Sequence, residues 1–311
     1  MSGTEDLHRL VLLHGREQAR LMVPEDRRAL VDIAAEILAD DAQRIGISYA
    51  GFALTALPHK KQADDAVWEK RGHRVTLLVE PGRLKMGQGI PRLFGVPYGA
   101  RARMILLYLQ TQAVRTGSRE VELGRSMRDW LERMGMAIGG ETVRALREQS
   151  ARISACTLKF FWENDSVEGW SRGGIVTSGL RFKASVDDQP SLWEDRVVLD
   201  EVFWRGLKEH PVPLREAALR KLCDRSMSLD LYVWLAYRLH QLERPAPIRW
   251  PAVQAQFGAG FKELRHFKPA FLKALDAALA AYPEAKVTAD EAGLVLHPSR
   301  PAVSRPALVR G

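Results

Sequence analysis

Side chains suited to binding nucleic acid are concentrated between residues 141 and 154. Arg144, Arg147 and Arg152 supply guanidinium groups, and Gln149 supplies a carboxamide in the same short stretch. A guanidinium can bridge two acceptors on guanine or neutralise a phosphate, and a carboxamide can pair with the edge of adenine. This combination predicts a surface that contacts DNA bases in the major groove.

A helix over residues 141–154 would sort these side chains by direction. The residues that recur at helical spacing and form the predicted inward face are Val143, Leu146, Ser150 and Ile153. The residues predicted on the free face are Arg144, Glu148 and Arg152, with Arg147 and Gln149 at its flanks. We assign base readout to Arg144, Arg147, Gln149 and Arg152. A solvated helix face with compensating charges is the alternative that the composition of the helix leaves open.

The preceding stretch supplies the elements that would support such a helix. Residues 98–116 form a long helix with few polar interruptions, and Gly117 supplies a left-handed residue to end it. A short alternating strand follows over residues 119–123, and a second amphipathic helix covers residues 125–134. Glycine turns then lead into the third helix. Helix, strand, helix and helix in this order are the skeleton of a winged helix-turn-helix module.

A predicted wing, residues 156–186, follows the third helix. Alternating apolar and polar residues predict one strand over residues 156–162 and a returning strand over residues 180–186. The basic residues expected on its outer side, in contact with phosphates, are Arg172, Arg181 and Lys183. An ordinary hairpin with solubilising cations is the alternative.

The same order of elements recurs downstream. The predicted elements are a helix over 227–241, a short helix over 251–257, a helix over 262–282 and a hairpin over 284–297. The basic residues near the start of the last helix are Lys262, Arg265, His266, Lys268 and Lys273. With Pro269 placed in the first turn, they gather where the helix dipole and free N–H groups favour phosphate. We assign base readout in this module to Lys262, Arg265 and Lys268.

Several long segments of the sequence resemble a known family. The run from Tyr98 to Arg119 begins Tyr-Gly-x-Arg-Ala-Arg and ends Arg-Thr-Gly-Ser-Arg, and it is similar to plasmid-encoded RepA replication initiators. Further matching segments lie at 122–131, 146–149 and 228–239, so the resemblance extends from about residue 74 to residue 303. It implies binding to directly repeated sites (iterons) in a plasmid origin. It also implies opening of AT-rich DNA and recruitment of the host initiator and the replicative helicase.

Composition agrees with a soluble DNA-binding protein. The chain has 311 residues and a formal net charge of +8, and 46% of its residues are hydrophobic. Residues 98–160 alone contain 11 Lys and Arg against 6 Asp and Glu. A basic chain fits a polyanionic partner. We find no apolar run of membrane-spanning length and no signal peptide, and the two cysteines read as buried thiols in a reducing cytoplasm.

No combination of residues predicts catalysis. The eight His form no His-x-His pair, and the glycine-rich stretch at 82–89 lacks the Lys and hydroxyl of a P-loop. The adjacent carboxylates Asp40–Asp41 and Asp64–Asp65 are interpreted as surface charge. We therefore expect no enzyme, no metal ion and no cofactor.

The predicted architecture is a helix-rich α+β fold with tandem winged-helix domains. Residues 1–70 are a partly flexible helical extension, residues 71–190 the first winged-helix domain and residues 191–298 the second, and residues 299–311 a disordered tail. The extension contains an amphipathic helix after Pro24 that needs a partner, either the first domain or a second protomer.

Two other functions share these features. A transcriptional repressor with the same fold would bind a promoter palindrome as a homodimer without a role in replication. Members of the resembled family often repress their own promoter, so the two roles are compatible. An adaptor protein with a basic surface is the third class, which would not bind DNA. The sequence leaves the balance between monomer and homodimer open.

Overall fold

The computed structural model of the protein describes residues 5–85, 89–164, 167–178 and 196–303. Its helices are α1 Glu5–Leu21, α2 Arg28–Leu38, α3 Ala50–Leu54, α4 Gly99–Thr116, α5 Met127–Arg133, α6 Gly140–Ala155, α7 Glu201–Glu209, α8 Glu216–Lys221, α9 Ser226–Arg238, α10 Trp250–Phe257 and α11 Leu264–Ala280. Its strands are β1 Ile45–Tyr49, β2 Trp68–Gly72, β3 Val75–Glu80, β4 Gly82–Leu84, β5 Arg92–Phe94, β6 Glu120–Glu122, β7 Thr157–Asn164, β8 Val167–Gly174, β9 Val176–Ser178, β10 Arg196–Leu199, β11 Pro211–Arg215, β12 Ala246–Arg249, β13 Val287–Ala289 and β14 Gly293–Leu296. The predicted helix-rich α+β class is confirmed.

The chain forms two compact units. The terminal unit comprises Met1–Gly46 and Val212–Gly311, and the central unit comprises Ile47–Pro211. These limits differ from the predicted domain limits at residues 70 and 190. The N-terminal helices belong with the C-terminal half of the chain, whereas β10 and α7 belong with the central unit, because each segment packs on partners distant in sequence.

Helix α4 forms the core of the central unit. Every residue from position 102 to position 111 is buried, as its apolar sequence predicted. Two of its buried polar residues hold the preceding strand: Gln110 Oε1 accepts the backbone N–H of Tyr49 at 2.7 Å, and Thr111 Oγ1 accepts that of Ile47 at 2.8 Å. The helix ends at Gly117, whose φ of 66° is the predicted left-handed conformation.

Two sheets flank this core. Strands β6, β10 and β9 form an antiparallel three-stranded sheet with β10 in the centre. Strands β2, β3, β7 and β8 form a four-stranded antiparallel sheet in that order.

The strand that returns beside β7 corrects the predicted wing. β7 pairs with β8, which lies in the stretch predicted as a loop, so the hairpin closes much earlier than the predicted return at residues 180–186. Apolar and aromatic residues such as Val167 and Trp170 favour a strand there, and Phe161 lies opposite Trp170 in the register. Residues 179–195, with the predicted return strand, lie outside the described residues.

The terminal unit is built around α9 and α11. Tyr232, Phe267 and Phe271 are fully buried between them. Helix α2 packs against α8 and α11, and α1 packs on α2. The N-terminal amphipathic helix therefore packs within the terminal unit and not on the first predicted domain. Its apolar stripe packs against α8 and α11, which lie more than 170 residues away in the sequence. Hydrophobic periodicity shows that a helix has an apolar face but does not identify the element that covers it.

The first part of the predicted disordered tail is packed in place. The hydroxyl of Tyr282 donates to the carbonyl of Arg300 at 2.7 Å, and Arg215 Nε donates to the carbonyl of Ala302 at 2.6 Å. Ala302 and Val303 are buried. The polar, proline-rich composition predicted disorder from residue 299. The side chains that bind the carbonyls of Arg300 and Ala302 belong to Tyr282 and Arg215, so the composition of the tail itself does not indicate them. Residues 304–311 lie outside the described residues.

The two units repeat one order of elements. In the central unit the order is α4, β6, α5, α6, β9 and β10, with β7 and β8 inserted after α6; in the terminal unit it is α9, β12, α10, α11, β13 and β14. The strands pair in the same way in both units, as β6-β10-β9 and as β12-β14-β13. The repetition predicted from sequence is therefore present in topology. Among the described residues, no helix is long and apolar enough to cross a membrane.

Candidate nucleic-acid interface

Helix α6 carries the first predicted group of DNA-contacting side chains. Leu146, Ser150 and Ile153 are buried on its inner side, as predicted. Arg144 and Arg147 are exposed, and neither forms an ion pair with another residue that the structure describes. These two guanidinium groups are therefore available to an external anion.

Arg152 lies inside the protein, contrary to the prediction that it projects from the free face. Its side chain is only 3% exposed. Nε donates to Glu148 Oε1 at 3.1 Å, Nη1 to the carbonyl of Val96 at 3.3 Å, and Nη2 to Asp64 Oδ1 at 2.7 Å. The guanidinium also lies 5.2 Å from the centre of the Tyr98 ring. Arg152 is therefore a positioning residue and not a base contact.

Gln149 and Glu148 take part in the same buried contacts. Gln149 is buried, and its Oε1 accepts the backbone N–H of Tyr98 at 2.9 Å, at the start of α4. Glu148 is half-buried and also accepts a hydrogen bond from the Tyr98 hydroxyl at 3.3 Å. The predicted free positions of both are thus corrected. The Arg152 cluster, defined as Asp64, Tyr98, Glu148, Gln149 and Arg152, joins α6 to the start of α4.

The prediction from helical periodicity was wrong at Glu148, Gln149 and Arg152 because neighbouring elements cover a second side of α6. Strands β4 and β5 pack against it, and Gly95 lies so close to Arg152 that an added Cβ would stand 2.6 Å from Nη1. Asp64, interpreted from sequence as surface charge, is the ion-pair partner of Arg152. Sequence reasoning missed Asp64, and the only signal for Tyr98 was its place in the family motif.

The Arg152 cluster compensates the positive charge of the buried Arg152 guanidinium. The guanidinium hydrogen-bonds Asp64 and holds the pKa of that carboxyl below its ordinary value. Burial raises the pKa of the Tyr98 hydroxyl, and the Glu148 carboxylate raises it further, so the phenol is protonated at neutral pH. Two carboxylates, a carbonyl and an aromatic face therefore compensate one desolvated charge.

Arg103 extends this support into α4. It is buried, and it donates to the carbonyls of Leu57, Pro58 and Gly99 at 2.7, 3.2 and 2.9 Å. The loop that leads to Asp64 is thereby held against α4. Two residues of the sequence motif, Tyr98 and Arg103, thus build the support of α6.

The second predicted group lies at the start of α11. Arg265, His266 and Lys273 are exposed on the helix, and Lys262 is exposed in the turn before it. Arg265 pairs with Glu263 at 2.6 Å, so part of its charge is compensated. Lys262, His266 and Lys273 form no ion pair within the described ranges.

Lys268 and Pro269 differ from their predicted settings. Lys268 Nζ lies 4.8 Å from the centre of the Trp250 ring and 3.3 Å from the carbonyl oxygen of Asp290, so its charge is held against the hairpin between β13 and β14. Pro269 is inside α11 and not in its first turn, because the helix begins five residues earlier. Proline has no N–H, so it cannot donate to the carbonyl of Arg265.

Of the predicted phosphate contacts in the wing, only Arg172 lies among the described residues. Arg172 lies in β8, opposite Lys159 of β7, whose Nζ pairs with Glu80 at 2.7 Å. Arg181 and Lys183 lie outside the described residues. In the part of the chain that the structure describes, no group of three or more His, Cys, Asp and Glu side chains is placed to bind a metal ion.

Comparisons with known proteins identify the family. Residues 96–250, which run from the residues before α4 to the start of α10, match the sequence model of a family described as "Plasmid encoded RepA protein". A comparison with curated proteins gave no match.

Two solved structures share a broad likeness. The crystal structure of selenomethionine derivatives of domains 2 and 3 of RctB is 11% identical, covers 78% of this chain and 92% of that chain, and has a TM-score of 0.49. A second structure of RctB domains 2–3 is 12% identical, with coverages of 78% and 93% and a TM-score of 0.46.

Proposed function

Because the chain belongs to the family of plasmid encoded RepA proteins, we propose that it is a plasmid replication initiator that binds repeated sites (iterons) at the origin. Binding uses two winged-helix domains, one in each compact unit. The protein is not an enzyme, and its work is done by binding DNA and other proteins in the cytoplasm.

The observation that carries this proposal is the repeated topology. Each unit has a helix, a strand and two further helices, followed by two strands that close a three-stranded sheet with the first strand in an outer position. In a winged-helix module the third helix enters the major groove and the final hairpin flanks it. Helices α6 and α11 hold that third position, and both display cations.

Base contacts are assigned to the exposed cations of these two helices. Arg144 and Arg147 act from α6, Lys262 acts from the turn before α11, and Arg265 acts from α11 with His266 and Lys273 beside it. Arg172 in β8, together with Arg181 and Lys183, contacts phosphates. Because both modules are on one chain, binding of one raises the effective concentration of the other near the same repeat.

Binding is followed by the steps that the family resemblance implies. The protein helps to open AT-rich DNA in the origin, contacts the host initiator and the replicative helicase, and represses its own promoter. A homodimer suits a palindromic promoter and a monomer suits a direct repeat, because each uses a different symmetry of contact.

A footprint on the DNA that flanks the gene tests the binding step. We expect protection of several directly repeated segments. The logarithm of the binding constant should fall linearly with the logarithm of salt concentration, with about six to ten phosphates neutralised. Random DNA of the same length is the control. A salt-independent affinity, or equal binding to random and flanking DNA, would overturn the proposal.

A plasmid assay separates initiation from simple repression. The flanking DNA is cloned into a plasmid that cannot replicate by itself, and the gene is supplied from a second plasmid. Stable maintenance is expected with the intact gene and not with a frameshifted gene. A protein that binds the flanking DNA but gives no maintenance would be a repressor with the same fold.

A further inference from the structure

Strands β4 and β5 form a strongly basic hairpin beside α6. They pair antiparallel, with Arg83 opposite Leu93 and Leu84 opposite Arg92. We call residues 82–85 and 89–94 the basic hairpin. From position 81 to position 98 the sequence contains three cations, Arg83, Lys85 and Arg92, and no Asp or Glu.

Two glycines fix the base of the basic hairpin on α6. An added Cβ at Gly82 would overlap the carbonyl oxygen of Ala155, at the end of α6. Gly95, on the other strand side, meets the Arg152 guanidinium. Both strands pack against α6. The direction of the hairpin is therefore set by the same helix that presents Arg144 and Arg147.

The cations of the basic hairpin point outward. Arg83, Lys85 and Arg92 are exposed, and none forms an ion pair with a described residue. Arg83 Nη1 donates across the hairpin to the carbonyl of Pro91 at 3.1 Å, which orders its side chain. The adjacent Ile90 is 89% exposed.

Some exposed arginines elsewhere in the central unit have carboxylate partners. Arg71 pairs with Glu69 at 2.9 Å and Arg128 with Glu132 at 3.1 Å. On the basic hairpin no cation forms such an ion pair, although Arg92 is attracted to Asp64 at longer range, and the three like charges repel one another. A polyanion that follows the hairpin would offset this repulsion and release its own counterions.

We propose that the basic hairpin is a second DNA-binding element of the central unit. Arg83, Lys85 and Arg92 contact phosphates that border the minor groove next to the major groove occupied by α6, and Ile90 enters that minor groove as an apolar wedge. The proposal rests on the proposed function, because α6 must first lie on DNA.

The charge of the basic hairpin is tested by a triple variant, Arg83→Gln, Lys85→Gln and Arg92→Gln. These positions are exposed, so the fold should be retained, as thermal unfolding can verify. The slope of log binding constant against log salt should decrease by about 2.7, or 0.9 for each lost phosphate contact. The preference among base sequences should stay the same, since α6 is unchanged.

A matched control removes three exposed cations elsewhere in the central unit: Arg71→Gln, Arg205→Gln and Lys208→Gln. It has the same net charge as the triple variant and should keep the wild-type slope. Equal slopes for wild type and triple variant would overturn the inference while leaving the proposed function intact. Failure of the wild-type protein to bind flanking DNA would instead remove the proposed function.

The proposed role of Ile90 is tested separately, by the bend of bound DNA. Ile90→Gln should leave the salt slope unchanged, because no charge is lost. It should reduce the bend of a bound DNA fragment measured by circular-permutation gel mobility, because apolar side chains inserted between base steps kink the duplex. Ile138→Gln, at an exposed apolar position outside the basic hairpin, is the control. An unchanged bend in Ile90→Gln would overturn the assignment of Ile90.

Discussion

Arg152 and Asp64 are separated by 88 residues in the sequence, yet Nη2 of the first lies 2.7 Å from Oδ1 of the second. This pair ties the second half of α6 to a loop that precedes the whole module. The exposed arginines of α6, Arg144 and Arg147, belong to the same rigid helix. A buried arginine therefore sets the direction of the two that face outward.

We expect Arg152→Ala to destabilise the central unit. It leaves Asp64 and Glu148 without their cation and the carbonyl of Val96 without its donor. Breaking a buried pair costs roughly 3–5 kcal/mol, and because the side chains of Asp64 and Glu148 are 40% and 39% exposed the loss here should be smaller, about 2 kcal/mol. Urea unfolding measures it. A loss below about 0.5 kcal/mol, the range of surface substitutions, would show that Arg152 is not structural.

We expect Arg147→Ala to weaken DNA binding with little effect on the free energy of unfolding. Its side chain is exposed, so the free energy of unfolding should change by no more than about 0.5 kcal/mol. Affinity for the flanking repeat should fall by roughly 1–3 kcal/mol, with relaxed preference at one base position. Competition binding against single-base variants of the repeat measures both effects. Arg205→Ala, exposed on α7 in the same unit, is the control. Uniform weakening on all sequences would make Arg147 a phosphate contact.

The Arg152 cluster should give an acid-dependent contribution to stability. The pKa of Asp64 is lowered in the folded protein, first by its hydrogen bond to Arg152, from an ordinary value of 3.8. A lowered carboxyl pKa contributes stability that is present above the unfolded value and lost as pH falls through the folded value. Asp64→Asn should therefore be less stable than wild type at pH 7, and the difference should shrink below pH 3.8. Unfolding curves from pH 7 to pH 2 test this, and a constant difference would contradict it.

Two glycine substitutions should act in opposite directions. Gly82→Ala places a Cβ against the backbone of Ala155, so the hairpin or the end of α6 must shift, at a cost of about 1–3 kcal/mol. Gly140→Ala adds a Cβ to open space at the first residue of α6 and should stabilise by about 0.4–1 kcal/mol. Chemical unfolding of both variants measures the difference. Equal stabilities would show that β4 is not held closely on α6.

Most helices could be predicted from sequence because their causes are local. The apolar run of α4 and its left-handed end at Gly117 agree with the structure. Asp200 caps α7, and its carboxylate accepts the N–H groups of Val202 and Phe203, which is the local role that an Asp before a helix favours. Propensity, periodicity and capping act within a few residues, so one stretch of sequence contains the necessary information.

The site was predicted only where exposure follows from the helix alone. Arg144 and Arg147 face outward, but Gln149 and Arg152 are buried because Tyr98, Asp64 and the basic hairpin cover that side of α6. A wheel projection has one inward direction, whereas this helix has two covered sides. The charge of Arg152 even favoured the wrong assignment, since its partners are not close in sequence.

The sequence by itself determined the kinds of elements, their repeated order and the family to which the chain belongs, because periodicity, turn residues and motifs are properties of contiguous residues. Only the tertiary structure decided which arginines are free, which strand closes each sheet and where the N-terminal helices pack. Those outcomes depend on burial and pairing between residues far apart in the chain. Which of these long-range contacts form is decided by the free energy of the whole fold, and they leave no periodic pattern in the sequence of either partner.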